Sequence, residues 1–128
     1  MTFYEQKLKN LQTNLYKNQD QIDAIIAVRN FIDANYEADL NMNLLSKIQL
    51  ISKYHLIRLF KKYYGLTPKQ YLIDKRIEKS KEHLVKGMTV TKSCYAVGFT
   101  SLGSFSALFK TKTGETPGQF RKRATFEK

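Results

Sequence analysis

One cysteine (Cys94), two prolines and no tryptophan occur in this chain of 128 residues. A lone thiol excludes an intrachain disulfide and any multi-cysteine zinc site. His55 and His83 are far apart and have no Cys or acidic partners at ligand spacing, so no metal or other cofactor is expected. No apolar run approaches the roughly 20 residues of a membrane-spanning helix; Ala24-Ile25-Ile26-Ala27-Val28 is about the longest. The opening Met-Thr-Phe-Tyr-Glu-Gln-Lys lacks the basic-then-apolar layout of a secretory signal, which leads us to expect a soluble, cytoplasmic protein. A glycine-rich phosphate loop, a nucleophile elbow and a carboxylate pair are also missing, so no enzyme is expected.

Negative charge is scarce where it matters. Residues 1–40 hold four Lys/Arg against six Asp/Glu, a net of −2, while residues 41–128 hold eighteen against five, a net of +13. An excess confined to one region suits a surface that neutralises phosphates and releases their counterions.

What is present is a repeat. Phe60-Lys61, Gly65, Thr67-Pro68 and Tyr71 recur 49 positions later as Phe109-Lys110, Gly114, Thr116-Pro117 and Phe120. Two copies are too few for a solenoid; they make a tandem pair. The only prolines, Pro68 and Pro117, each follow a threonine and precede a glutamine two residues on. Thr at N-cap, Pro at N1 and Gln at N3 is a capping-box start, and the preceding glycine suits a left-handed helix end. Helices should therefore end near 64 and 113 and restart near 68 and 117.

Helical spacing of Ile22, Ile25, Ile26, Phe31 and Ile32 predicts a first core helix over about 20–36. Asn41 can cap a short helix at 42–48, and Ser52 another at 53–64 with Leu56, Leu59, Phe60 and Tyr63 facing inward. Residues 68–86 form a long helix with Ile73, Ile77, Ser80 and Leu84 on one face, stopped by Gly87. Thr89 caps a short helix, Gly98-Phe99 turns, and 101–113 carries Phe105, Leu108 and Phe109. Strand-like alternation is absent. The expected fold is all-α, with about seven helices. It divides into an N-terminal extension (1–19), a first helix-turn-helix unit (20–67), a linker helix (68–87) and a second unit with a basic end (88–128).

Several strings match one family: Ile51-Ser52-Lys53-Tyr54-His55-Leu56-Ile57-Arg58-Leu59-Phe60-Lys61-Lys62, the Gly65…Thr67-Pro68 run, Arg76-Ile77-Glu78, and Val97-Gly98-Phe99 with Phe109-Lys110. Over about residues 20–123 the chain resembles the DNA-binding domain of AraC/XylS-type transcriptional regulators. The resemblance implies two homeodomain-like helix-turn-helix units that read adjacent major-groove segments of a bacterial promoter and act with RNA polymerase, as an activator. Grooves one turn apart, roughly 34 Å and 10 bp, would be read by one polypeptide without a dimer or a palindrome.

By that resemblance the base-reading positions of the first unit are Tyr54, Ile57 and Arg58. Arg58 can pair bidentately with guanine, and Ile57 either meets a thymine methyl or packs on a neighbouring helix. Tyr54 is open between stacking on sugar-phosphate and packing. In the second unit the corresponding set is Gly103, Ser104, Ser106 and Ala107, where the family often has an arginine. Lys53, Lys61, Lys62, Lys110, Lys112, Arg121, Lys122 and Arg123, with Ser52 and Ser101, are expected on phosphates. The first unit should dominate sequence reading. Cys94 reads as a small core residue rather than a redox thiol.

Outside the resemblance, Tyr4, Leu8, Leu11, Leu15, Asn18, Ile22 and Ile25 alternate three- and four-residue steps. They form either a coiled-coil seam giving a weak dimer through residues 4–25, or a helix lying back on its own domain, the reading preferred for so few heptads. The functional expectation is a monomeric regulator on double-stranded DNA. The alternative is an adaptor of the same fold that binds polymerase or another regulator and holds DNA weakly.

Overall fold

The computed structural model describes residues 2–49 and 52–126; Ile51 and the side chain of Leu15 fall outside that description. Among the described residues there are seven helices and no strand. They are α1 (Phe3–Ala34), α2 (Met42–Gln49), α3 (Lys53–Tyr64), α4 (Pro68–Val85), α5 (Val90–Ala96), α6 (Leu102–Thr113) and α7 (Pro117–Phe126). No helix among the described residues is long and apolar enough to cross a membrane.

Local chemistry places most of the helix ends. The Asn41 side chain accepts from the Leu44 N–H at 2.8 Å and starts α2. Thr67 accepts from the Gln70 N–H at 3.2 Å while the Gln70 side chain accepts from the Thr67 N–H at 2.9 Å. Thr116 and Gln119 repeat that exchange at 3.1 and 2.9 Å. A cap of this kind is worth about 1 kcal/mol. Gly65 and Gly114 close α3 and α6 in the left-handed conformation, at φ 78° and 88°.

Two cores form, one per unit. Ile25, Val28, Ile32, Leu45, Leu56, Leu59, Phe60 and Leu72 make the first. Ile77, Leu84, Cys94, Val97, Phe99, Phe105 and Phe109 make the second. The repeat is visible in space: Phe60 and Phe109 are both fully buried, and Cys94 is as buried 49 positions after Leu45 as Leu45 itself. Helix α4 gives Leu72 to one core and Ile77 and Leu84 to the other, and Tyr36 packs against both. One helix thus belongs to two cores.

Two expectations need correction. The segment before residue 20 does not lie back on the domain. It is continuous with the first core helix as α1, and Phe3, Tyr4, Leu8 and Leu11 are exposed, Leu8 at 63%. A capping box at Thr2 and Glu5 starts it. Ile25, by contrast, is sealed in the first core and cannot join a seam. Tyr63 is 41% exposed instead of inward, with the Lys62 ammonium 5.5 Å from its ring centre. Tyr64 takes the inward place, 4.7 Å from the Phe60 ring and beneath the Arg29 guanidinium.

Candidate nucleic-acid interface

Helices α3 and α6 share one anatomy. At the start of each, a serine outside the helix holds a backbone donor: Ser52 Oγ accepts from His55 N–H at 3.1 Å, and Ser101 Oγ accepts from Ser104 N–H at 3.2 Å. Each inner face is driven into its core by large apolar residues, Leu56, Leu59 and Phe60 in α3 and Phe105 and Phe109 in α6. Fully burying such side chains stabilises by about 1.5–3 kcal/mol each. The outer faces are then free of structural work.

On α3 that outer face carries Lys53, Tyr54, Arg58, Lys61 and Lys62, all exposed, with Ile57 half-buried at its edge. Tyr54 is 79% exposed, which removes the packing alternative for its ring. Arg58 has no side-chain partner among the described residues, so its five donors are available. On α6 the exposed residues include Gly103, Ser104, Ala107 and Lys110, with Ser106 half-buried. Arginine on one helix and alanine on the other makes the two faces chemically unequal.

Three basic side chains expected on phosphates are committed elsewhere. Arg121 donates from Nε to the Met88 carbonyl and from Nη2 to the Gly87 carbonyl, both at 3.0 Å, and so pins α7 to the α4–α5 turn. Lys112 pairs with Asp74 at 2.9 Å. Arg123 pairs with Glu115 at 2.6 Å and lies 5.3 Å over the Phe120 ring. Lys53, Lys61, Lys62, Lys110 and Lys122 stay exposed without such carboxylate partners among the described residues.

Tyr95 and Leu102, both exposed, were not singled out by sequence reasoning. They flank the head of α6, and Tyr95 lines a cleft there with Ser101 and Ser104. For Tyr95 the signal was its place one residue past buried Cys94, off the inward phase of α5; Leu102, three residues before buried Phe105, shares the inward phase of α6 and gave no such signal. Cys94 itself is sealed in the core, its thiol donating weakly to the Ser101 carbonyl at 3.7 Å, and burial pushes its pKa up. A reactive thiol needs the opposite shift. No group of metal-ligating side chains forms among the described residues.

Two capped helix-turn-helix units on one shared helix, with a basic outer face on α3 and small residues beside Lys110 on α6, define a tandem helix-turn-helix domain. A helix-turn-helix domain family matches residues 45–123. The chain is 33% identical over 101 residues to the bifunctional transcriptional activator/DNA repair enzyme AdaA of Bacillus subtilis, covering 78% of this chain and 48% of that protein. A probable AraC family transcriptional regulator from Rhodopseudomonas palustris superposes with a TM-score of 0.73 at 25% identity, over 80% of this chain and 97% of that one. The DNA-binding domain of AdpA, solved with a target DNA, superposes at 0.77 over 81% of this chain and 95% of its own; at 19% identity that likeness shows the fold. This chain belongs to the AraC-type helix-turn-helix family. It spans about half or less of the full length of several relatives it matches.

Proposed function

We propose that this chain is a sequence-specific transcription regulator that binds one asymmetric double-stranded promoter site, with α3 and α6 in adjacent major-groove segments. The observation that carries this is the duplicated design of α3 and α6: same serine cap, same buried Phe, same glycine stop, and an outer face that stays exposed. Arg58, Tyr54 and Ile57 read base edges in the first unit. Gly103, Ser104, Ser106 and Ala107 let α6 approach closely but offer few paired contacts, so the second unit supplies position and affinity. The serines at the two caps and the five exposed lysines hold phosphates. One chain supplies both helices, so binding needs no dimer. Activation, through contact with RNA polymerase in the cytoplasm, is the outcome the family suggests.

Selecting bound sequences from random DNA tests this reading. A bipartite consensus, stronger on one side, is the expected result. Binding without sequence preference and with little salt dependence would favour the adaptor instead.

A separate observation supports a weak association of two copies. Tyr4, Leu8 and Leu11 form an exposed stripe on a helix that continues into the first core. Isolated helical stretches of this length are marginal in water, so burial of that stripe favours the helix. Ile25 is sealed in the first core and takes no part in such pairing. Sedimentation at rising micromolar concentration should show a dimer that Leu8→Lys abolishes; a concentration-independent monomer would rule the pairing out.

A further inference from the structure

Arg76 stands midway along α4, between the residues that this helix gives to the two cores. Its Nε donates to the Tyr36 carbonyl at 2.6 Å and its Nη2 to the Ala38 carbonyl at 2.8 Å. Both acceptors lie in the loop between α1 and α2, part of the first unit. The same guanidinium sits 5.7 Å from the ring centre of Phe99, in the second unit. Between them passes Gly98 at φ 102°, where a Cβ would come within 2.8 Å of the Glu37 carbonyl and 3.0 Å of Arg76 Nε and Nη2. The turn of one unit therefore touches the loop of the other, and the arginine fills the joint. A cleft of about 390 Å³ leads from Glu37 and Asp39 past Arg76 to Ser101 and Ser104 at the head of α6.

A single shared helix leaves twisting about its own axis as the soft motion between two small units. A second contact off that axis opposes the twist. Arginine suits the place because its planar fork can meet two carbonyls at once and still lie flat on a ring; a lysine ammonium has no such fork. Without the side chain, two carbonyls at the joint lose their charged donor, and nothing else among the described residues replaces it.

We propose that Arg76 is a positioning residue: by clasping the α1–α2 loop to the Gly98-Phe99 turn it sets the distance and angle between α3 and α6, and so the number of base pairs required between two half-sites. This rests on the reading of α3 and α6 as the DNA-reading helices. The test therefore has one arm with DNA and one without. In the free protein, Asn43→Cys and Thr111→Cys, both at exposed positions, carry spin labels, while Cys94 is buried and stays as it is. The distance distribution between the labels should be narrow in the parent and visibly broader with Arg76→Ala.

With DNA, one base pair is inserted between the selected half-sites, which turns the second by about 34–36° and moves it ~3.4 Å. The parent should lose roughly tenfold or more in affinity, and Arg76→Ala only about twofold, a difference typical of coupling between sites. Binding of Arg76→Ala to the first half-site alone should stay within about twofold of the parent, as expected when reading contacts are intact. Arg76→Lys should fall between, and it carries both measurements if circular dichroism shows Arg76→Ala unfolded. An unchanged width and an unchanged insertion penalty would overturn the clasp while leaving the two-helix reading intact. Loss of sequence preference in the parent would sink that reading, and the label distances would still judge the clasp.

Discussion

The salt dependence of DNA binding is the sharpest number these side-chain commitments yield. Eight lysines and arginines stand out in the sequence as phosphate ligands. Arg121 is held by two carbonyls, Lys112 by Asp74 and Arg123 by Glu115. Eight less three leaves Lys53, Lys61, Lys62, Lys110 and Lys122. At about −0.9 per neutralised phosphate, five cations give a log–log slope of roughly −4.5, or about 500-fold lost between 50 and 200 mM salt. Fluorescence anisotropy on the selected duplex at four or five salt concentrations measures it. Lys61→Ala should flatten the slope to roughly −3.6, since one counterion fewer is released. Arg121→Ala should weaken the fold around α7 yet leave the slope unchanged, because that guanidinium is already held by the Met88 and Gly87 carbonyls. A parent slope near about −7, the value for eight contacts, would show that the three held side chains let go on DNA. The reasoning would then be refuted.

Other expectations follow from single contacts. Arg58→Ala should cost about 1–3 kcal/mol on the selected site and far less on scrambled DNA; equal losses on both would mean a phosphate contact. Ala107→Arg should tighten binding and change the preferred bases in one half-site only, read by repeating the selection. Gly65→Ala meets open space and should cost only the left-handed strain, about 1–2 kcal/mol. Gly98→Ala adds a collision with the Glu37 carbonyl and should cost clearly more in a denaturant titration. Burial, then the 2.6 Å bond to Asp33, pushes the Tyr71 hydroxyl up to about 12. The folded state thus holds that proton more tightly than the unfolded chain, so the stabilisation is complete below pH ~10 and is lost as pH rises towards about 12. Tyr71→Phe should lose about 0.5–1.5 kcal/mol near neutral pH and show a shallower alkaline decline; parallel curves for the two proteins would contradict the assignment.

The parts of this fold legible in the sequence are those decided within one or two turns of chain. Ser52, Thr67, Ser101 and Thr116 cap helices through donors three residues on, and Gly65 and Gly114 stop them on their own backbone. The repeat multiplied that local signal by two. What was hidden depends on partners far along the chain. Arg121 looks like any basic residue until carbonyls 33 and 34 positions earlier claim it. Arg76 is claimed across 40 and 38 positions. Tyr63 and Tyr64 are adjacent aromatics at a helix end, and only the placement of Phe60 and Arg29 decides which turns inward. The first nineteen residues carried a spacing that fitted two environments. Helix continuity through Asn18-Gln19-Asp20 decided for the exposed one.

The two distinct cores beneath α3 and α6 also bear on how such a protein changes its target over time. Substitutions far apart add nearly independently, so the surface above one core can be revised while the other half keeps the molecule on its site. A new recognition sequence can in this way be acquired by halves, each intermediate still occupying DNA, with the joint at Arg76 holding the two halves in register throughout.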